Sequence, residues 1–174
     1  MATLQAPASW AVVDFISDLH LRAQEPANFD AWARYLKSTP ADAVFMLGDV
    51  FEVWVGDDVV DAEGGVSRRF EALCADEMSA AGERLALFFM HGNRDFLVGQ
   101  TLMKRCHATL LADPTVLQFA GQNWLLSHGD ALCLADTEYL AFRQQVQQAP
   151  WQQAFLARPL AEREAIALAL RAQS

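Results

Sequence analysis

The sequence predicts an α/β fold of layered sheet and helices on three observations. Short apolar runs are too brief for helices, helical stretches alternate with them, and polar motifs close most of the runs. Ala11 to Ile16, Ala43 to Leu47 and Leu85 to Met90 are rich in β-branched and aromatic residues and read as buried parallel strands. Between them, Phe29 to Lys37 and roughly Ser67 to Ala80 read as helices, giving a strand, helix, strand alternation. Thr115 to Phe119 and Asn123 to Leu126, separated by Ala120-Gly121-Gln122, form an expected hairpin that joins the sheet system. After His128 the spacing becomes helical, with Tyr139, Phe142 and Val146 on one stripe and Trp151 and Phe155 on another. Pro150 and Pro159 are expected to divide this tail into short helices. With 174 residues, 53% of them hydrophobic, one α/β domain is expected. Charge is uneven, 9 basic against 19 acidic residues in 1–136 and 4 against 3 in 137–174. A core over 1–136 followed by a functionally different tail over 137–174 is therefore expected.

Composition narrows the function classes. A net charge of -9 opposes non-specific nucleic-acid binding, which needs clustered Lys and Arg. It does not exclude a phosphate substrate, because many acids sit where cations would reverse the local field. No basic residue precedes Arg22, so the N-terminus lacks the charged start of a secretory leader and a cytoplasmic location is expected. No unbroken apolar run is longer than Leu85 to Met90, which falls far short of the roughly 20 residues of a membrane span. Cys74, Cys106 and Cys133 are odd in number and lack CxxC spacing, which argues against a disulfide framework or a zinc knuckle.

The chemistry is carried by short polar motifs at the strand ends. Asp18-Leu19-His20 places a carboxylate and an imidazole two residues apart, on one side if the backbone is still extended. Gly48-Asp49 offers a carboxylate where a missing Cβ allows close approach, and one carboxylate can bridge two cations. Gly92-Asn93-Arg94-Asp95 adds a neutral amide oxygen and a guanidinium whose fork fits phosphate. His128-Gly129 leaves the last strand. Each alone reads more readily as something ordinary: a helix cap, a Gly-Asp turn, a Gly-Asn turn, a structural histidine. Four of them at strand ends, which share one edge of a parallel sheet, point instead to a metal site. His91 should face away from its neighbours and is read as supporting or structural, and His107 as ordinary.

The four motifs in this order resemble the calcineurin-like metallophosphoesterase family, whose pattern is D-x-H, G-D, G-N-[HR]-[DE], H and a final G-H-x-H. The stretches Gly48-Asp49-Val50-Phe51-Glu52 to Asp58, His91 to Phe96 and His128 to Cys133 resemble its branch that acts on UDP-2,3-diacylglucosamine in lipid A synthesis. Arg94, where most relatives have histidine, is part of that likeness. The resemblance implies a β-sandwich flanked by helices with a helical lid, peripheral contact with the cytoplasmic face of the inner membrane, and a nucleotide-lipid substrate. A monomer is expected. It assigns Asp18 and His20 to a first metal, Asp49 to the bridge, and Asn93 and His128 to a second. Asn93 and Arg94 would be catalytic, and Asn93, Arg94, Asp136 and Ser174 would touch substrate. No G-H-x-H occurs after His128, so the resemblance implies a C-terminally truncated chain in which each metal lacks one ligand.

Ligands of carboxylate, imidazole and amide oxygen without thiolate suit two Mn²⁺ ions or similar cations. Such a pair would carry a bridging hydroxide as nucleophile, and the resemblance implies that it attacks the UMP-side phosphorus, releasing UMP and 2,3-diacylglucosamine 1-phosphate. Two other readings stay open at this point: a metallophosphodiesterase of broader specificity, and an inactive metal-binding form.

Overall fold

The computed structural model describes residues 1–62 and 69–171. In chain order these form β1 (Ala2–Gln5), β2 (Val13–Ile16), α1 (Pro26–Ser38), β3 (Ala43–Leu47), α2 (Phe70–Gly82), β4 (Ala86–Met90), α3 (Gln100–Arg105) and β5 (Ala108–Leu111). A hairpin of β6 (Thr115–Phe119) and β7 (Gln122–Leu126) comes next, then α4 (Thr137–Val146), α5 (Ala149–Leu156) and α6 (Leu160–Arg171). The strands expected at Ala43, Leu85 and Thr115 are present, as are both early helices; Ser67, the expected start of the second, lies outside the described residues.

Among the described residues two sheets form, in keeping with the β-sandwich that the resemblance implies. β2, β3, β4 and β5 make an all-parallel sheet, whereas β6 and β7 pair with β1 in a separate mixed one. β1, α3 and β5 are not announced by the sequence: each has only four to six residues, too few to show a period. The hairpin turn is also shorter than expected, because Gln122 already pairs with Phe119. Ala120 and Gly121, both at positive φ (+52° and +74°), make a two-residue turn whose twist suits adjoining antiparallel strands.

Alternation along β3 and β4 decides the layers. Ala43 and Phe45 with Phe88 and Met90 face Leu117 and Leu126 of the second sheet. Phe45 stacks on Phe88 at 4.6 Å, and Trp10 meets both rings edge-on. Val44, Met46, Leu87 and Phe89 face the other way and pack with Leu36 of α1, Met78 of α2 and Leu102 of α3. Each buried strand thus feeds two cores, which is why its sequence is continuously apolar.

The tail docks on this body. Pro150 falls in the first turn of α5, where a missing N–H costs nothing, and so starts a helix as much as it separates two. Trp151 stacks on Phe155 and approaches Phe96, and Phe155 is buried in the helix-side core. Arg163 of α6 is 2% exposed and bonds the Val55 carbonyl and the Asp58 carboxylate. Neighbouring Asp57 receives the N–H groups of Gly99 and Leu102 at 2.9 and 2.8 Å, capping α3. Among the described residues no helix is long and apolar enough to cross a membrane.

Candidate metal centre

Pairing continues past the ends of β2 and β3. The N–H groups of Asp18, His20 and Leu21 donate to the carbonyls of Gly48, Asp49 and Val50 at 3.1, 3.0 and 2.9 Å, so the Asp18–His20 segment lies alongside Asp49. The backbone there is not extended, which corrects the basis on which Asp18 and His20 are paired from sequence. Asp18, His20 and Asp49 have φ of +54°, +48° and +53°. Side chains beyond Cβ rarely accept this region, and it persists where surrounding structure enforces it.

Ligand atoms of Asp18, Asp49 and His128 lie within 4.8 Å of one another. Asp49, 3% exposed, sits between two imidazoles: Oδ2 is 3.9 Å from His20 Nε2 and Oδ1 is 3.8 Å from His128 Nε2. Asn93 Oδ1 lies 3.4 Å from His128 Nε2. His128 Nδ1 is 2.9 Å from the Leu47 carbonyl. A carbonyl only accepts, so Nδ1 carries the proton and the Nε2 lone pair of the neutral ring points at the oxygens. The side chains therefore converge lone pairs on one another, an arrangement a divalent cation completes, and the set fits oxygen- and nitrogen-preferring ions. Burial pushes the Asp49 carboxyl above its ordinary range, against the Arg94 N–H and the two histidines that draw it down.

Two glycines make room. A Cβ on Gly48 would lie 2.5 Å from His128 Nδ1, and one on Gly92 would overlap Asp49 Oδ1. Beneath the cluster Asp95, 0% exposed, accepts N–H bonds from Gly92 and Val50 at 2.8 Å and from Asp49 and Phe51 at 3.3 Å. Burial pushes its carboxyl up to about 6, although these bonds favour the anion. Asp95 stands within the third motif, but its partners at 49–51 are remote in the chain, so the sequence alone assigns it no role.

The other candidates fall in different places. The Arg94 N–H donates to Asp49 Oδ1 at 2.9 Å, and its guanidinium Nε is buried without a hydrogen-bond partner. Asp136 is exposed and caps α4, accepting the Tyr139 N–H at 2.9 Å, so its carboxylate is engaged by the helix. Ser174 lies outside the described residues. His91 turns away, its Nε2 2.6 Å from the Val98 carbonyl, and burial lowers its pKa. Asp130, to which the sequence gives no signal beyond its place in a motif, accepts Tyr139 Oη and Arg143 Nε at 2.6 Å beside a small cleft that reaches Asn93. Burial alone would raise its carboxyl, but those bonds outweigh burial and hold it below the ordinary range.

The chain is similar to known proteins over most of its length. A family described as Calcineurin-like phosphoesterase matches residues 11–169. The chain is 45% identical over 163 residues to a "UDP-2,3-diacylglucosamine hydrolase" of Cellvibrio japonicus, covering 92% of this chain and 65% of that protein. A protein of the same name from Aeromonas hydrophila is 45% identical over 164 residues, with 92% and 65% covered. One from Aromatoleum aromaticum is 42% identical over 163 residues, with 92% and 64% covered. The chain thus spans a little under two thirds of the length of these curated relatives.

Proposed function

The chain belongs to the calcineurin-like phosphoesterase family, and on that premise we propose that it hydrolyses the pyrophosphate bond of UDP-2,3-diacylglucosamine to UMP and 2,3-diacylglucosamine 1-phosphate. The observation that carries this reading is Asp49, whose two oxygens face two separate imidazoles as a bridging carboxylate would. The names of the relatives supply the substrate. Asp18 and His20 would hold one cation, Asp49 both, and Asn93 and His128 the second. Two Mn²⁺ ions bound there would supply Lewis acidity toward phosphoryl oxygens and a lowered water pKa.

The chain's own groups do the rest. The Leu47 carbonyl fixes the His128 ring, so its inward nitrogen cannot turn away. Asp95 fixes the loop that carries Asp49. Arg94, whose buried Nε has no hydrogen-bond partner, would place its planar fork on phosphate oxygens as charge develops, next to the Asn93 amide. Contacts of substrate with Asp136 and Ser174, a core and lid divided near 136, action at the cytoplasmic face of the inner membrane, and a monomeric state belong to the same proposal.

The test is Mn²⁺-dependent release of UMP from UDP-2,3-diacylglucosamine by this chain and by Asp49→Ala. The parent is expected to release UMP and the variant to be slower by more than about a hundredfold. Hydrolysis of bis-p-nitrophenyl phosphate without release of UMP would replace the proposal with a phosphodiesterase of broader specificity. No hydrolysis of either by the parent would overturn it for this chain.

A further inference from the structure

A metal-ligating imidazole is governed by what its second nitrogen does, because that nitrogen sets both tautomer and ring orientation. His20 presents Nε2 toward Asp49. Its Nδ1 is buried and completes no hydrogen bond. A buried polar nitrogen without a partner is uncommon and costly. Glu52 Oε2 lies 3.0 Å from it without meeting the N–H direction. A modest turn about the soft terminal torsion of either side chain would complete the bond.

Glu52 is itself 8% exposed and firmly placed. Its backbone N–H donates to the Leu21 carbonyl at 3.1 Å, beside the bridge between Leu21 and Phe51, so it travels with the His20 segment. Its Oε1 is 2.6 Å from a guanidinium nitrogen of Arg171, at the end of α6. One oxygen is thus satisfied by a cation, and the other faces the histidine.

We propose that Glu52 is a positioning residue for His20: its carboxylate accepts the Nδ1–H and so holds the Nε2 lone pair toward the first cation beside Asp49. Through Arg171, the same carboxylate ties α6 to a metal ligand. The inference rests on the reading of this cluster as a metal centre and does not depend on which phosphoester is cleaved.

Two readouts test it. The first needs no variant: long-range proton–nitrogen correlation on the metal-free chain, at about pH 8, above the ordinary titration range of imidazole. His20 is expected as the Nδ1–H tautomer, and finding Nε2–H would overturn the proposal. The second is Mn²⁺ affinity by calorimetry for the parent, Glu52→Gln and Glu52→Met. Methionine keeps the volume but removes the acceptor, so affinity should fall about 10- to 100-fold and the His20 tautomer should become mixed. Glutamine keeps an accepting oxygen and should restore the tautomer and most of the affinity. Unchanged affinity in Glu52→Met would overturn the assignment. So would weaker binding with an unchanged tautomer, which would make Glu52 a ligand or a merely structural group. Should Glu52→Met not fold, the parent tautomer decides. A parent that binds no Mn²⁺ would remove the metal reading, and this inference with it, even if the tautomer were as expected.

Discussion

Asp95 reaches no ligand atom of the cluster other than through Asp49, yet the position of Asp49 depends on it. Its carboxylate collects N–H groups from both the Asp49 loop and Gly92, joining two strand ends that are also linked by the Arg94 N–H to Asp49 Oδ1. Asp95→Ala would leave these donors unpaired in a dry site. It is expected to cost about 3 kcal/mol of stability in denaturant titration and to weaken Mn²⁺ binding as well. A variant as stable as the parent would show that the loop holds itself. Asp49, Asn93 and His128, three of the proposed ligands, are legible in the sequence because each is announced locally, by Gly48 before Asp49, Gly92 before Asn93 and Gly129 after His128. Asp95 and Glu52 are not, because their meaning lies in partners brought near only by folding. The left-handed backbone at Asp18 and His20 is invisible for a related reason: nothing in an Asp-Leu-His triplet announces a conformation imposed by neighbouring strands.

At the scale of elements, α6 is fastened by a charge that the helix buries. Arg163 is held at three acceptors, the Arg158 and Val55 carbonyls and the Asp58 carboxylate. Its hydrogen bond holds the Asp58 carboxyl below the ordinary value of 3.8, against some desolvation. A depressed folded-state pKa gives stability that is present above the ordinary value and lost as pH falls through the folded one. The melting-temperature difference between the parent and Asp58→Asn should therefore be constant from neutrality to about pH 5 and close in stronger acid. A gap that persists unchanged into acid would show that the pair contributes nothing by its charge. Elements long enough to show a period, such as α1 and the tail helices, can be read from the sequence. β1 and β5 cannot: four residues become a strand only because β6 and β4 offer them free edges.

For the whole molecule, the proposed centre draws on both sheets: Asp18, Asp49 and Asn93 lie just beyond strands of the parallel one, and His128 just beyond β7 of the other. A cation bound across them favours the folded chain by mass action. At a hundred times its dissociation constant Mn²⁺ should add about 2.7 kcal/mol. For a chain of this size that corresponds to a rise in melting temperature of about 5 to 10 °C, which Asp49→Ala should abolish. A melting temperature indifferent to Mn²⁺ up to millimolar levels, on the order of the weakest protein cation sites, would exclude such a centre. The hairpin of the second sheet is legible from its turn, whereas its separation from the parallel sheet is not, since pairing partners leave no mark on a strand's own residues. The tight space at Gly48 and Gly92 also constrains the history of the molecule. Every codon change that replaces a glycine adds a β-carbon, so no neutral mutational step leads away from either position while the centre is kept. Gly121, with nothing within 4 Å of a β-carbon, carries only the cost of its backbone angle. Lineages can drift there, while the pair at the centre stays locked for as long as selection preserves the site.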